Sequence, residues 1–78
     1  MDGLIARLDA LVALGRRQDI EEFAPPILRP QTYLEPFTLR ALGFARGIDE
    51  LVEQAIQRFN AMGMDWHAGE TRKLLLRA

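Results

Sequence analysis

The only histidine of the chain, His67, lies between two acidic residues, Asp65 and Glu70. On a helix, His67 and Glu70 share a face, because residues three positions apart are neighbours there. These side chains could offer ligands to a metal ion, but a protein metal site needs three or four ligands, and the chain has no second histidine and no cysteine. We therefore expect no metal site, and we expect Asp65 to cap a helix whose first turn is exposed to solvent.

Nucleophilic and phosphate chemistry have little support in the sequence. No serine is present, which excludes a serine nucleophile, and the threonines and the tyrosine lack a histidine base within a short motif. There is no glycine-rich phosphate loop, and the basic pairs Arg16-Arg17 and Arg72-Lys73 carry too little charge for a phosphate-binding face. The sequence predicts a non-enzymatic protein with no cofactor.

Size and charge narrow the class further. With 78 residues the chain is one small domain or a piece of one, and its ten basic and eleven acidic residues nearly balance. This balance disfavours a dedicated nucleic-acid or membrane surface, and no apolar stretch is long enough to span a bilayer. The start, Met1-Asp2-Gly3, lacks the basic segment of a signal peptide, and the absence of cysteine fits a reducing compartment. We expect a cytoplasmic protein.

The spacing of apolar residues predicts five helices and no strand. The first helix covers about 3–14, the second begins near Asp19, and the third runs to about Arg46. The fourth lies between Asp49 and Gly63, and the fifth runs from Asp65 towards the C-terminus. We expect short polar side chains to cap the five starts, in chain order Asp2, Asp19, Thr32, Asp49 and Asp65.

The chain also shows an internal repeat. A shift of 32 residues places Gly15 on Gly47 and brings apolar positions of two helix pairs into register, although Leu8 then meets Arg40. Each pair would leave an apolar face that the next pair covers. The predicted units are a first repeat at about 3–29, a second at about 36–64 and a capping helix at about 65–77. Two unrelated amphipathic pairs of similar length would also match in part.

The residues Leu42, Gly43, Ala55 and Phe59 have the spacing of the packing residues in tetratricopeptide repeats, and the chain resembles that family over about 36–64 and more weakly over 3–29. The resemblance implies an all-α fold in which antiparallel helical hairpins stack as a short α-solenoid. In that family, a small residue in the first helix of a pair lets the second helix approach closely. The offset of 32 is shorter than the family's usual period, and the first copy has Leu11 where the family has glycine.

In the family, the first helix of each pair lines a concave binding surface. By that resemblance Phe37, Arg40 and Phe44 would contact a protein or peptide partner. The alternative is that both phenylalanines belong to the core and that Arg40 extends along the surface. Residues 58–68 also resemble the C-terminal helical repeats of large bacterial signalling proteins, such as ATPase-containing transcription regulators. The resulting prediction is a protein–protein interaction module within a larger signalling or regulatory protein.

Two other classes stay open. The chain could be a purely structural cap or a dimerisation domain, and the uncovered apolar faces make a homo-oligomer one of the options. It could also be a helical DNA-binding module, but between 36 and 47 only Arg40 and Arg46 are basic. Specific DNA binding needs more positive charge than this. No membrane partner is expected.

Overall fold

Five α-helices account for most of the computed structural model, which describes residues 3–76. Within that range there is no strand, and none of the helices is long and apolar enough to cross a membrane. The prediction of an all-α fold with about five helices is confirmed. The helices are α1 (Gly3–Ala13), α2 (Arg17–Phe23), α3 (Glu35–Arg46), α4 (Asp49–Ala61) and α5 (Asp65–Leu76), with a short 3-10 turn at Pro25–Ile27.

Glycines in the left-handed conformation end α1 and α3 at equivalent places. Gly15 has φ 69° and Gly47 has φ 65°, a region that only glycine adopts without strain. The amide of Gly47 donates to the carbonyl oxygens of Gly43 and Phe44, which closes the end of α3. The two turns coincide under the 32-residue shift that the sequence shows.

The predicted side-chain caps are wrong wherever the structure describes them. The helix α2 begins before Asp19, and its N-cap residue Arg16 makes no side-chain cap hydrogen bond. The Thr32 hydroxyl instead donates to the carbonyl oxygen of Arg29 at 2.6 Å. Asp49 and Asp65 are the first residues of their helices, where a carboxylate still interacts favourably with the helix dipole. Asp2, the remaining predicted cap, lies outside the described residues.

The helix α3 forms the centre of the molecule. It packs against α1, α2 and α4, and every residue from Glu35 to Gly43 is buried. A helix enclosed in this way cannot keep a solvent face, so Thr38 and Arg40 are buried along with the apolar residues. The apolar core is drawn from all five helices and from Ala24: Leu8, Ile20, Ala24, Phe37, Leu39, Ala41, Leu42, Val52, Ala55, Ile56, Phe59 and Ala68.

The closest packing lies between α3 and α4. A Cβ atom added to Gly43 would lie 2.6 Å from Cγ2 of Val52 and 2.9 Å from its backbone nitrogen. Real Cβ atoms essentially never approach other atoms so closely. Across this interface Ala55 and Phe59 are fully buried, as their spacing with Gly43 predicted. The absence of a side chain at Gly43 therefore sets the distance between the two helices.

Two arginines connect α2 and α3 at the surface. Arg17 donates from Nη1 to the carbonyl oxygens of Phe44 at 2.7 Å and Ala45 at 3.2 Å, which lie in the last turn of α3. Arg46 binds the Glu21 carboxylate through two nitrogens at 2.8 and 3.1 Å. This hydrogen-bonded carboxylate raises the pKa of the Arg46 guanidinium.

Gly43→Ala should destabilise the fold by about 1–3 kcal/mol, because α3 and α4 must separate to admit the methyl group. Gly69→Ala is the matched control, since Gly69 lies inside α5 with nothing within 4 Å of an added Cβ. The control should stabilise the protein by roughly 0.5–1 kcal/mol through helix propensity. Urea unfolding of both variants measures the difference. Equal effects of the two substitutions would contradict the close-packed seam.

Candidate functional site

A cleft of about 230 Å³ opens where α1, α3 and α5 meet. The helices α1 and α3 are the first helices of the two predicted repeats, and α5 is the predicted capping helix. The walls come from α1 and α5, and α3 supplies the floor. The polar lining residues are Asp9, Arg40, His67 and Glu70. The apolar lining residues are Val12, Ala13, Trp66 and Leu74.

The floor of the cleft is the Arg40 side chain, which is only 11% exposed. Its Nη2 donates to Oδ1 of Asp9 on α1, and its Nη1 lies 3.4 Å from the hydroxyl oxygen of Thr71 on α5. The Thr71 hydroxyl itself donates to the carbonyl oxygen of His67 at 2.7 Å. A buried guanidinium needs such partners, because an unpaired buried charge is costly. The Arg40 side chain thus ties both walls of the cleft to α3.

Two aromatic rings pack against the Arg40 guanidinium. Its guanidinium carbon lies 5.4 Å from the ring centre of Phe37 and 5.5 Å from that of Phe59, within the range of cation–π attraction. The two rings meet edge to face, with centres 5.0 Å apart. Phe59 belongs to α4, so the guanidinium lies against side chains from four helices.

His67 belongs to the same aromatic cluster. Its ring stacks on Phe59 with centres 5.4 Å apart and meets Phe37 edge to face at the same distance. On its other side, the Trp66 ring lies 5.1 Å away, nearly perpendicular. His67 is half-buried, whereas Trp66 is 69% exposed. The histidine is therefore a packing residue in this structure, and Trp66 is the aromatic residue that solvent or a partner can reach.

The acidic residues beside His67 are separately engaged. Asp65 starts α5, and Glu70 accepts a hydrogen bond from the Lys73 ammonium at 3.0 Å. Among the described residues, no group of three histidine, cysteine or acidic side chains is arranged to hold a metal ion. Asp65, His67 and Glu70 thus form a helix start, a packed ring and a surface ion pair.

The residues predicted to contact a partner are dispersed by the fold. Phe37 lies in the core with 2% exposure, and Arg40 reaches the surface only as the cleft floor. Phe44 is half-buried at the α2–α3 contact, where the Arg17 guanidinium covers its ring at 4.5 Å. These three do not form a shared exposed face. Their role in partner binding stays a prediction, and within the cleft only Arg40 can make such a contact.

Sequence reasoning missed the walls of the cleft. Asp9 and Trp66 were not singled out as binding residues, and Glu70 was considered only as a possible metal ligand beside His67. One signal was present, because Asp9 and Arg40 are 31 positions apart, and so are Arg40 and Thr71. That separation is close to the 32-residue repeat offset. Side chains one repeat apart on the first helices were therefore candidates for direct contact.

A second cleft, of about 330 Å³, lies between the loop before α3 and the end of α4. Tyr33 and Met62 are its exposed apolar residues. Its buried carboxylate, Glu35, accepts from the Gln31 amide at 3.1 Å and pairs with Arg58 Nε at 3.2 Å. This pairing holds Gln31, whose φ of 64° is unusual for a residue other than glycine. The polar groups of the second cleft therefore hold the loop before α3 in place. The second cleft serves as a comparison site in the binding experiments proposed below.

Comparisons of the chain with protein-family models, with curated proteins and with solved structures find no match.

Arg40→Lys should destabilise the protein by about 1.5–3 kcal/mol, the range for hydrogen bonds to charged groups, because one ammonium cannot serve both Asp9 and Thr71 while lying over two rings. Arg16→Lys is the control, because Arg16 is exposed and, within residues 3–76, its one ion pair is with Asp19. Its effect should stay below about 0.5 kcal/mol. Chemical denaturation checks both variants. An Arg40 variant as stable as the control would show that the guanidinium does not hold the helices together.

Proposed function

We propose that this chain is a non-enzymatic, tetratricopeptide-like helical module that binds a protein or peptide partner in the cleft between α1 and α5. The observation that carries the proposal is which helices line the cleft. They are α1, α3 and α5. In the family that the sequence resembles, the first helices of successive pairs form the binding surface. The cleft thus lies on the side where a partner is expected.

The solvent exposure of each lining side chain indicates its role in partner binding. Arg40 is held by Asp9 and Thr71, so it shapes the floor more than it offers free donors. Trp66 presents a large amphipathic ring to solvent, and exposed tryptophan is a frequent anchor in protein interfaces. We propose that Trp66, Glu70 and Asp9 make the main contacts.

Binding is favoured over catalysis because the reactive groups in the cleft are already engaged with the protein. The His67 ring stacks on Phe59 and meets Phe37 edge to face, and the Asp9 carboxylate is paired with the Arg40 guanidinium. A general acid or base needs a side chain within hydrogen-bond reach of a substrate proton. The proposal extends to a cytoplasmic setting within a larger bacterial signalling or regulatory protein, and this extension depends on the sequence resemblance alone.

Random-sequence peptide display against the immobilised chain tests the proposal. Selected peptides should perturb the backbone amide resonances of Asp9, Arg40, Trp66 and Glu70 in titrations of the isotope-labelled protein. Trp66→Ala should weaken their binding about tenfold, the effect of removing an interface anchor. Tyr33→Ala removes a comparably exposed aromatic residue, 56% exposed, from the second cleft and should leave binding unchanged.

Two outcomes would contradict the proposed site. Perturbations centred on Tyr33 and Met62 would move the binding surface to the second cleft. Failure to select any peptide, together with concentration-dependent dimerisation in sedimentation experiments, would instead favour a dimerisation domain.

A further inference from the structure

The two walls of the cleft carry carboxylates that face the same space. Asp9 stands on α1 and Glu70 on α5, and their side chains are both partly exposed. The one cation in the lining is Arg40, whose guanidinium is buried and bound to Asp9 and Thr71. Besides His67, the lining holds two carboxylates and one guanidinium. A cationic ligand group is therefore favoured there over an anionic one.

An aromatic surface accompanies these carboxylates. Trp66 precedes Glu70 by one helical turn on α5, so the indole and the carboxylate lie on the same side of the helix. Tryptophan is the aromatic side chain that binds a cation best on its ring face. An ammonium or guanidinium group in the cleft could contact the indole and a carboxylate together.

The size of the cleft limits what can enter. Its volume of about 230 Å³ is below the roughly 300–1,000 Å³ of sites that enclose a drug-sized ligand. A single side chain is a better match than a whole small molecule. Val12, Ala13 and Leu74 provide apolar lining, and the methylene stem of a lysine or arginine packs well on such a surface.

The ion pairs already present at the cleft do not prevent a cationic ligand group from binding there. Lys73 pairs with Glu70 as an exposed i,i+3 pair, which contributes little to stability and can be exchanged for a ligand cation. Asp9 keeps its contact with Arg40 through Oδ1. We infer that the cleft recognises its partner by taking up one lysine or arginine side chain between Trp66, Glu70 and Asp9. This inference rests on the proposed function.

The chain's one tryptophan is itself a cleft residue, so its fluorescence reports directly on occupancy. The probes are three blocked pentapeptides that differ only at the central position, which holds lysine, norleucine or glutamate between leucines. The lysine peptide should bind in the millimolar range or tighter, and about tenfold tighter than the norleucine peptide. The glutamate peptide should bind more weakly than either.

Removing the negative charge of Glu70 distinguishes recognition of the ligand's charge from contact with its apolar stem. Glu70→Gln should weaken the lysine peptide about threefold to tenfold and leave the norleucine peptide unchanged. Glu53→Gln is the matched control, because Glu53 is exposed on α4 and outside this cleft. It should affect neither peptide. Circular dichroism spectra of both variants should match the parent protein.

The results distinguish the two proposals. Equal affinity for the lysine and norleucine peptides, or a lysine affinity that Glu70→Gln leaves intact, overturns the cation preference while peptide binding at the cleft stands. Tighter binding of the glutamate peptide overturns it as well. If none of the three peptides changes the Trp66 emission and displayed peptides also bind elsewhere, both the preference and the proposed site fail.

Discussion

A buried guanidinium is the constraint on which the cleft depends. Arg40 lies in the central helix, and removing its charge from water costs several kcal/mol unless the protein supplies partners. Asp9 on α1 and Thr71 on α5 supply them, and the rings of Phe37 and Phe59 lie beneath. These contacts connect α1 and α5 to α3, in addition to the packing of α1 on α3 and of α5 on α4. The way in which one core charge is satisfied therefore contributes to the positions of the cleft walls.

The parts of the fold that follow from local spacing were predictable. Apolar periodicity gives the helices, Gly15 and Gly47 give the turns, and Gly43 with Ala55 and Phe59 gives the α3–α4 seam. The capping residues were not predictable in the same way. Each helix start has several acceptable geometries, and packing moved the start of α2 ahead of Asp19. The carboxylates of Asp49 and Asp65 still favour helix starts without capping them.

The cleft was harder to predict because its residues meet only through the tertiary fold. Phe37, Arg40 and Phe44 have a spacing that suits an exposed helix face, yet α3 is enclosed by its neighbours, so Phe37 is buried and Phe44 is covered by Arg17. The contacts that matter join residues 31 positions apart, from Asp9 to Arg40 and from Arg40 to Thr71. Each of these two contacts spans nearly the repeat offset, and together they join α1, α3 and α5 through the single side chain of Arg40.

The most direct measurement is nuclear magnetic resonance of the arginine side chains in the isotope-labelled protein. A guanidinium held by Asp9 and Thr71 over two rings cannot rotate freely about its Cζ–Nε bond. Arg40 should therefore show separate signals for its two Nη groups and slow exchange of their protons with water, whereas exposed Arg16 should show averaged, rapidly exchanging signals. Averaged signals from Arg40, indistinguishable from those of Arg16, would contradict the claim that its buried charge holds the cleft together.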